Sequence, residues 1–241
     1  MVECGEADLA GLLAGLGPEW AGLSLTMPLK RVVLSLVDTR SELAGAVGAA
    51  NTVLLSPAER HADNTDVGGL VDALAGADVG EVVILGAGGT AAAALAAARD
   101  LGAGRATVVV RDPGRADVLL AAADRLGLDV RLQPWPAVPV SATLVISTVP
   151  RGAADVVAGH AWRAQTTVCD VLYHPWPTPL AVAARAAGCR VVGGLDLLLH
   201  QAARQVELMT GREAPLPAMR TALGAAQAIP PMRRWHEEGS G

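Results

Sequence analysis

The 241-residue sequence contains no phenylalanine, one tyrosine and one lysine, Lys30, against 18 arginines. Aromatic residues make up 2% of the chain while 51% is hydrophobic, so the core must be built from Ala, Val and Leu. Such a core favours helices laid on strands over a β-sandwich. Positive charge is scattered and the net charge is −5, which leaves no basic field for a nucleic acid. Cysteine is scarce too. Cys4, Cys169 and Cys189 are far apart, an odd count without metal-type spacing, so neither a disulfide framework nor a metal site is expected. No apolar run approaches the ~20 residues needed to cross a bilayer, and the start carries no export signal. Together these absences predict a cytoplasmic protein with free thiols, no membrane partner and no nucleic-acid partner.

Length and hydrophobic content allow two modest domains. Residues 7–16 have helical spacing, with Leu9, Leu12, Leu13 and Leu16 on one face, until GLGP stops the run. A short strand over LSLT follows, and Pro28 opens a helix whose first turn carries Lys30. AGAVGAANTVLLS reads as a glycine turn and a strand, and HADNTDVGGLVDAL as a loop and a helix start. From Glu81 the character changes. EVVILGAGG, RATVVVRD, ATLVISTVP, TTVCDVLY and CRVVGG are five Val-rich runs separated by alanine-rich helical stretches, the pattern of a parallel sheet covered on both faces. The stretch LDLLLHQAARQVELMTG is a last long helix ending at Gly211, and residues 229–241 read as a loose tail.

Within VVILGAGGTAAAA, Gly86, Gly88 and Ala91 form G-x-G-x-x-A between a strand and a helix. Gly86 allows the tight turn, Gly88 lets a pyrophosphate approach the backbone, and Ala91 allows close helix packing. At the end of the next strand, Arg111 and Arg115 bracket Asp112. Two guanidiniums can grip a 2′-phosphate, which favours NADP, whereas the Asp112 carboxylate could accept from the free 2′-hydroxyl of NAD. In the first region the polar groups cluster as Thr26 and Lys30, then Asn51, then Asp63 to Asp66. A Lys and an Asp held together can pass a proton to and from a hydroxyl while a hydride moves at the same carbon.

These residues carry a resemblance to the shikimate dehydrogenase family (shikimate and quinate dehydrogenases). SLTMPLK is similar to the family's N-V-T-x-P-x-K, GAANT to G-A-V-N-T, and DNTDVGG to N-T-D-x-x-G. LGAGGTA, VVRDPGRA, CDVLYHPWPTPL and GGLDLLLHQAA resemble its cofactor loop, adenosine-side loop, D-x-x-Y-x-P-x-x-T-x-L segment and final G-x-x-x-L-x-x-Q helix. The resemblance covers residues 2 to 225.

It implies reduction of 3-dehydroshikimate to shikimate with NADPH, a step of aromatic amino-acid biosynthesis, by a monomer or homodimer. Lys30 would be the acid/base and Asp66 its partner, with Thr26, Asn51, Tyr173 and Gln201 as substrate contacts. Gly86, Ala87, Gly88, Gly89 and Thr90, with Val110, Arg111, Asp112 and Arg115, would hold the cofactor phosphates, and Val171 and Gly194 would lie near the nicotinamide. The implied fold is α/β and two-domain. Residues 77–199 form a Rossmann-like parallel sheet with helices on both faces; a smaller α/β substrate domain over 1–76 is completed by helices of about 200–228. The chain matches the family only after its S-x-S-P serine motif, so the small domain is expected to be short of a strand and substrate binding impaired. An NAD-dependent quinate/shikimate dehydrogenase and a catalytically weakened dinucleotide-binding homologue are the alternatives.

Overall fold

The computed structural model describes residues 2–227. Six strands, β5 (Val82–Leu85), β6 (Arg105–Val110), β7 (Asp129–Pro134), β8 (Leu144–Ser147), β9 (Thr167–Asp170) and β10 (Arg190–Gly193), form one all-parallel sheet. Their order is β10-β9-β8-β5-β6-β7, so the chain winds outward in both directions from β5 and β8. Ligands of open α/β sheets bind where that order reverses, outside the C-terminal strand ends.

The Val-rich runs form the central strands because both faces are covered. Val82 and Ile84 join the core under α5 (Gly89–Asp100) and α6 (Asp117–Leu126), while Val83 and Leu85 pack with Leu180 and Ala184 of α7 (Pro179–Ala186). Helix α5 also touches α3 (Glu42–Val47) and α4 (Thr65–Ala73), so every residue from Ala91 to Ala98 is buried. Seven of these eight residues are alanine and the eighth is Leu95, so a helix enclosed on all sides packs closely without phenylalanine.

A second sheet has the order β1-β3-β4-β2, from β1 (Gly22–Ser24), β2 (Thr39–Arg40), β3 (Thr52–Leu55) and β4 (Arg60–Asp63). β3 runs antiparallel to both β1 and β4, and β2 runs parallel to β4. Helix α1 (Leu9–Gly15) contributes Leu9 and Leu13 to its core, and α2 (Leu29–Val32) contributes Leu29. Helix α8 (Gly194–Thr210) leaves the last strand, ends at Gly211 with φ +66 and lies along α4; α9 (Leu216–Gln227) packs on α8. Among the described residues, no helix is long and apolar enough to cross a membrane.

Several elements differ from the sequence reading, among them strand β2 (Thr39–Arg40), which was not expected. β7 was not expected, because D-V-R-L-Q-P alternates exposed and half-buried residues on a sheet edge instead of forming an apolar run. His61 to Asp63, read as loop, lie in β4; its one fully buried residue, Ala62, pairs with Val53, and the polar neighbours hid the strand. AGAV, read as a turn, belongs to helix α3, which Ser41 caps by accepting from the Ala44 amide at 3.0 Å and which Gly48 closes at φ +74. The tail expected over 229–241 lies outside the described residues.

Candidate active site

Helix α4 begins where β4 ends. Asn64 caps it, accepting from the amides of Asp66 (3.1 Å) and Val67 (3.4 Å) while donating to the Ala49 carbonyl at 2.8 Å. Asp66 therefore sits in the first helical turn, where the helix dipole favours a carboxylate. Lys30 comes from the first turn of α2, and its backbone carbonyl accepts from the Ala50 amide at 2.7 Å. The Leu25 amide donates to the Asn51 carbonyl, also at 2.7 Å, so the strand start bearing Asn51 and the turn bearing Lys30 are tied together.

Lys30 Nζ lies 2.7 Å from Asp66 Oδ2, with the two side chains 23% and 11% exposed. The ammonium is thus held at one end and open to a ligand at the other. Asn51, 1% exposed, is enclosed by this group. Its Nδ2 lies within 2.9–3.0 Å of Asp66 Oδ1, Thr65 Oγ1 and Gln201 Oε1, and its Oδ1 accepts from the Thr65 amide at 2.8 Å and the Thr52 hydroxyl at 2.9 Å. Asn51 consequently orients Asp66. Gln201 donates onward to the Leu198 carbonyl at 3.1 Å.

Gln205, one helical turn beyond Gln201, was not anticipated. Its amide donates to the Asn51 carbonyl at 3.2 Å and to Thr52 Oγ1 at 3.0 Å, fixing the residues that hold Asp66. The i, i+4 spacing from Gln201 is the signal that could have found it. Of the other expected substrate contacts, Thr26 is exposed in the turn before Lys30, with its hydroxyl 3.4 Å from the Met27 carbonyl. Tyr173 is 56% exposed and stands outside the hydrogen-bonded cluster.

Helix α8 reaches this cluster only because α4 offers glycine. A methyl group at Gly69 would lie 2.8 Å from the Gln201 backbone nitrogen and 2.9 Å from its Cβ. We expect Gly69→Ala to cost about 1–3 kcal/mol of stability by overpacking and to displace the Gln201 amide, read as a lower melting temperature together with weaker substrate binding.

The glycine loop occupies the point where the strand order reverses. Gly86 has φ +101, a conformation that side chains rarely adopt, and a methyl group there would lie 2.9 Å from Thr148 Oγ1. At Gly88 and Gly89 a methyl group would meet nothing within 4 Å, and no side chain caps the start of α5. The first-turn N–H groups of α5 therefore open into a cavity of about 440 Å³. It is lined by residues 86–90, by Val110, Arg111, Asp112 and Arg115, by Trp135, and by residues 148–150. Free helix-end donors, glycines without Cβ and two arginines suit a dinucleotide diphosphate.

Asp112 accepts from the Gly114 amide at 3.0 Å and so caps its own loop. Arg111 and Arg115 are exposed and, among the described residues, form no ion pair. Val171 and Gly194 pack on each other, the Val171 carbonyl occupying the space a Gly194 side chain would need; neither lines this cavity. The segment beyond β9 is anchored by buried Asp170, which accepts from Thr178 Oγ1 at 2.7 Å and the Leu172 amide at 3.3 Å; burial pushes its carboxyl up, against those hydrogen bonds. Burial, ahead of the Asp170 charge, pushes the neighbouring Cys169 thiol up to about 12, so this thiol is no nucleophile near neutrality.

Comparison with known proteins agrees across both sheets. Residues 2–53 match the family described as Shikimate dehydrogenase substrate binding domain, and residues 194–223 match Shikimate 5'-dehydrogenase C-terminal domain. A shikimate dehydrogenase (NADP(+)) of Halobacterium salinarum is 37% identical over 227 residues, covering 90% of this chain and 84% of that relative. The crystal structure of Mycobacterium tuberculosis shikimate dehydrogenase superposes with a TM-score of 0.85 at 44% identity, over 93% of this chain and 86% of that one. Quinate dehydrogenase from Corynebacterium glutamicum, in complex with NAD, gives 0.82 at 32% identity, over 90% and 83%.

Proposed function

The chain belongs to the shikimate dehydrogenase family, and from that premise we propose that it reduces 3-dehydroshikimate to shikimate with NADPH, using Lys30 and Asp66 as the acid–base pair. The observation that carries the residue assignment is the 2.7 Å contact between Lys30 and Asp66, two first-turn residues 36 positions apart. Bound in the cavity at the glycine loop, the cofactor would supply a hydride to the substrate's carbonyl carbon. The protein's part is binding, orientation and a proton. Lys30 donates that proton to the carbonyl oxygen as negative charge develops there, and takes it back from the hydroxyl in the reverse direction. Asp66 aims the ammonium, and Asn51, Thr65, Gln201 and Gln205 hold Asp66.

Residues up to 76, with helices α8 and α9, serve as the substrate half, and 77–199 as the cofactor half. Thr26 and Tyr173 line the substrate approach from the surface, and Gln201 reaches it from α8. Residues 86–90 hold the diphosphate and the segment from Val110 to Arg115 holds the adenosine end; Val171 and Gly194 bound the nicotinamide side. Free thiols at Cys4, Cys169 and Cys189 support a cytoplasmic location.

The NAD-dependent alternative is not favoured, because Asp112 is engaged as a loop cap while both arginines remain available to a 2′-phosphate. Charge-assisted hydrogen bonds contribute about 1.5–3 kcal/mol each. Arg111→Ala is therefore expected to raise the KM for NADPH by roughly tenfold or more and to leave that for NADH unchanged. Following NADPH absorbance with 3-dehydroshikimate, then NADH, then quinate with NAD⁺, tests the reading directly. Cofactor binding without turnover on any of these pairs would sink it.

A further inference from the structure

Met27 is 73% exposed, more than any other large apolar side chain described. Among the described residues it is also the one residue before position 77 that lines the cavity at the glycine loop; every other lining residue comes from positions 86–153. Its backbone belongs to the turn that leads into Lys30. The turn from Thr26 to Leu29 is closed by the Leu29 amide on the Thr26 carbonyl at 2.9 Å, and the next residue is Lys30. An apolar side chain left in water at the mouth of a ligand cavity is stabilised when a ligand covers it.

Resting on the assignment of this cavity to NADPH, we infer that Met27 is a cofactor-contacting residue that couples the two sites: the bound cofactor covers the Met27 side chain and thereby fixes the turn that aims Lys30 at the substrate. Coupling of this kind is reciprocal, so substrate must tighten cofactor binding by the same factor by which cofactor tightens substrate binding. Among the described residues the substrate half reaches the cavity through this single side chain, so truncating it removes the link while leaving the glycine loop and the Lys30–Asp66 pair in place.

The test uses NADPH with shikimate, an unreactive pair because both are reduced. NADPH emission gives its Kd with and without saturating shikimate. For the unsubstituted chain the ratio of the two is expected to reach about fivefold or more. Met27→Ala should bring it towards one with an unchanged melting temperature, and Met27→Leu should restore it. A ratio unaltered in Met27→Ala, or already near one in the unsubstituted chain, overturns the coupling role alone. Failure of the unsubstituted chain to bind NADPH overturns the assignment of the cavity, and the coupling role with it.

Discussion

Lys30→Ala should lower kcat for 3-dehydroshikimate reduction by about 10²–10⁴-fold, the usual worth of a positioned proton donor, and leave NADPH affinity as it is. The separation of effects follows from geometry. Lys30 is held by Asp66 and does not line the cavity at the glycine loop, so its loss removes a proton from the reacting oxygen and nothing from the cofactor. Lys30→Arg should not rescue: a guanidinium stays protonated throughout the accessible pH range and cannot exchange the proton both ways. Because Lys30 is the only lysine, an amine-directed acylating reagent can modify only it and the chain's amino terminus. Shikimate should protect Lys30 from that reagent, as peptide mapping would show. Unchanged turnover in Lys30→Ala would refute the assignment.

Asp66→Asn should impair both halves of the kinetics, raising the KM for 3-dehydroshikimate and lowering kcat, each by roughly ten- to a hundredfold. The replacement keeps the shape and removes the charge. Asp66 Oδ2 accepts from Lys30 and Oδ1 accepts from Asn51 at 2.9 Å, so an amide in its place must turn a donor towards one of two donors. Leaving a buried donor unmatched costs about 1–3 kcal/mol, and here the disorder passes to the ammonium that delivers the proton. Steady-state kinetics with each substrate varied, beside a thermal melt, separates this outcome from unfolding. An Asp66→Asn variant with unaltered KM and kcat would show that the pair does not serve the substrate.

Legibility differed between the two halves of the molecule for a physical reason. In the half assigned to the cofactor, the proposed function resides in backbone. A turn that needs Gly86, a helix end left open by Gly88 and Gly89, and strands buried on both faces all leave marks within a dozen contiguous residues. In the half assigned to the substrate, the proposed function resides in side chains that meet from afar. Lys30, Asn51 and Asp66 stand out in the sequence as a polar cluster, but their individual roles rest on likeness to family motifs, since taken singly each reads as a solvated lysine, a strand end or a helix cap. Gln205 escaped because its partners, the Asn51 carbonyl and Thr52, lie over 150 residues earlier in the chain.

Local rules thus determined the parallel sheet, the glycine turn and the placing of Lys30 at a helix start, because valine periodicity, glycine torsion and proline geometry act over a few residues. Tertiary packing alone decided that Asp66 meets Lys30 and that Asn51 is spent on orienting it. The second outcome depends on α8 lying against α4 closely enough for Gly69 to touch Gln201, which Asn51 also meets, a contact set by the shape of two helices more than a hundred residues apart.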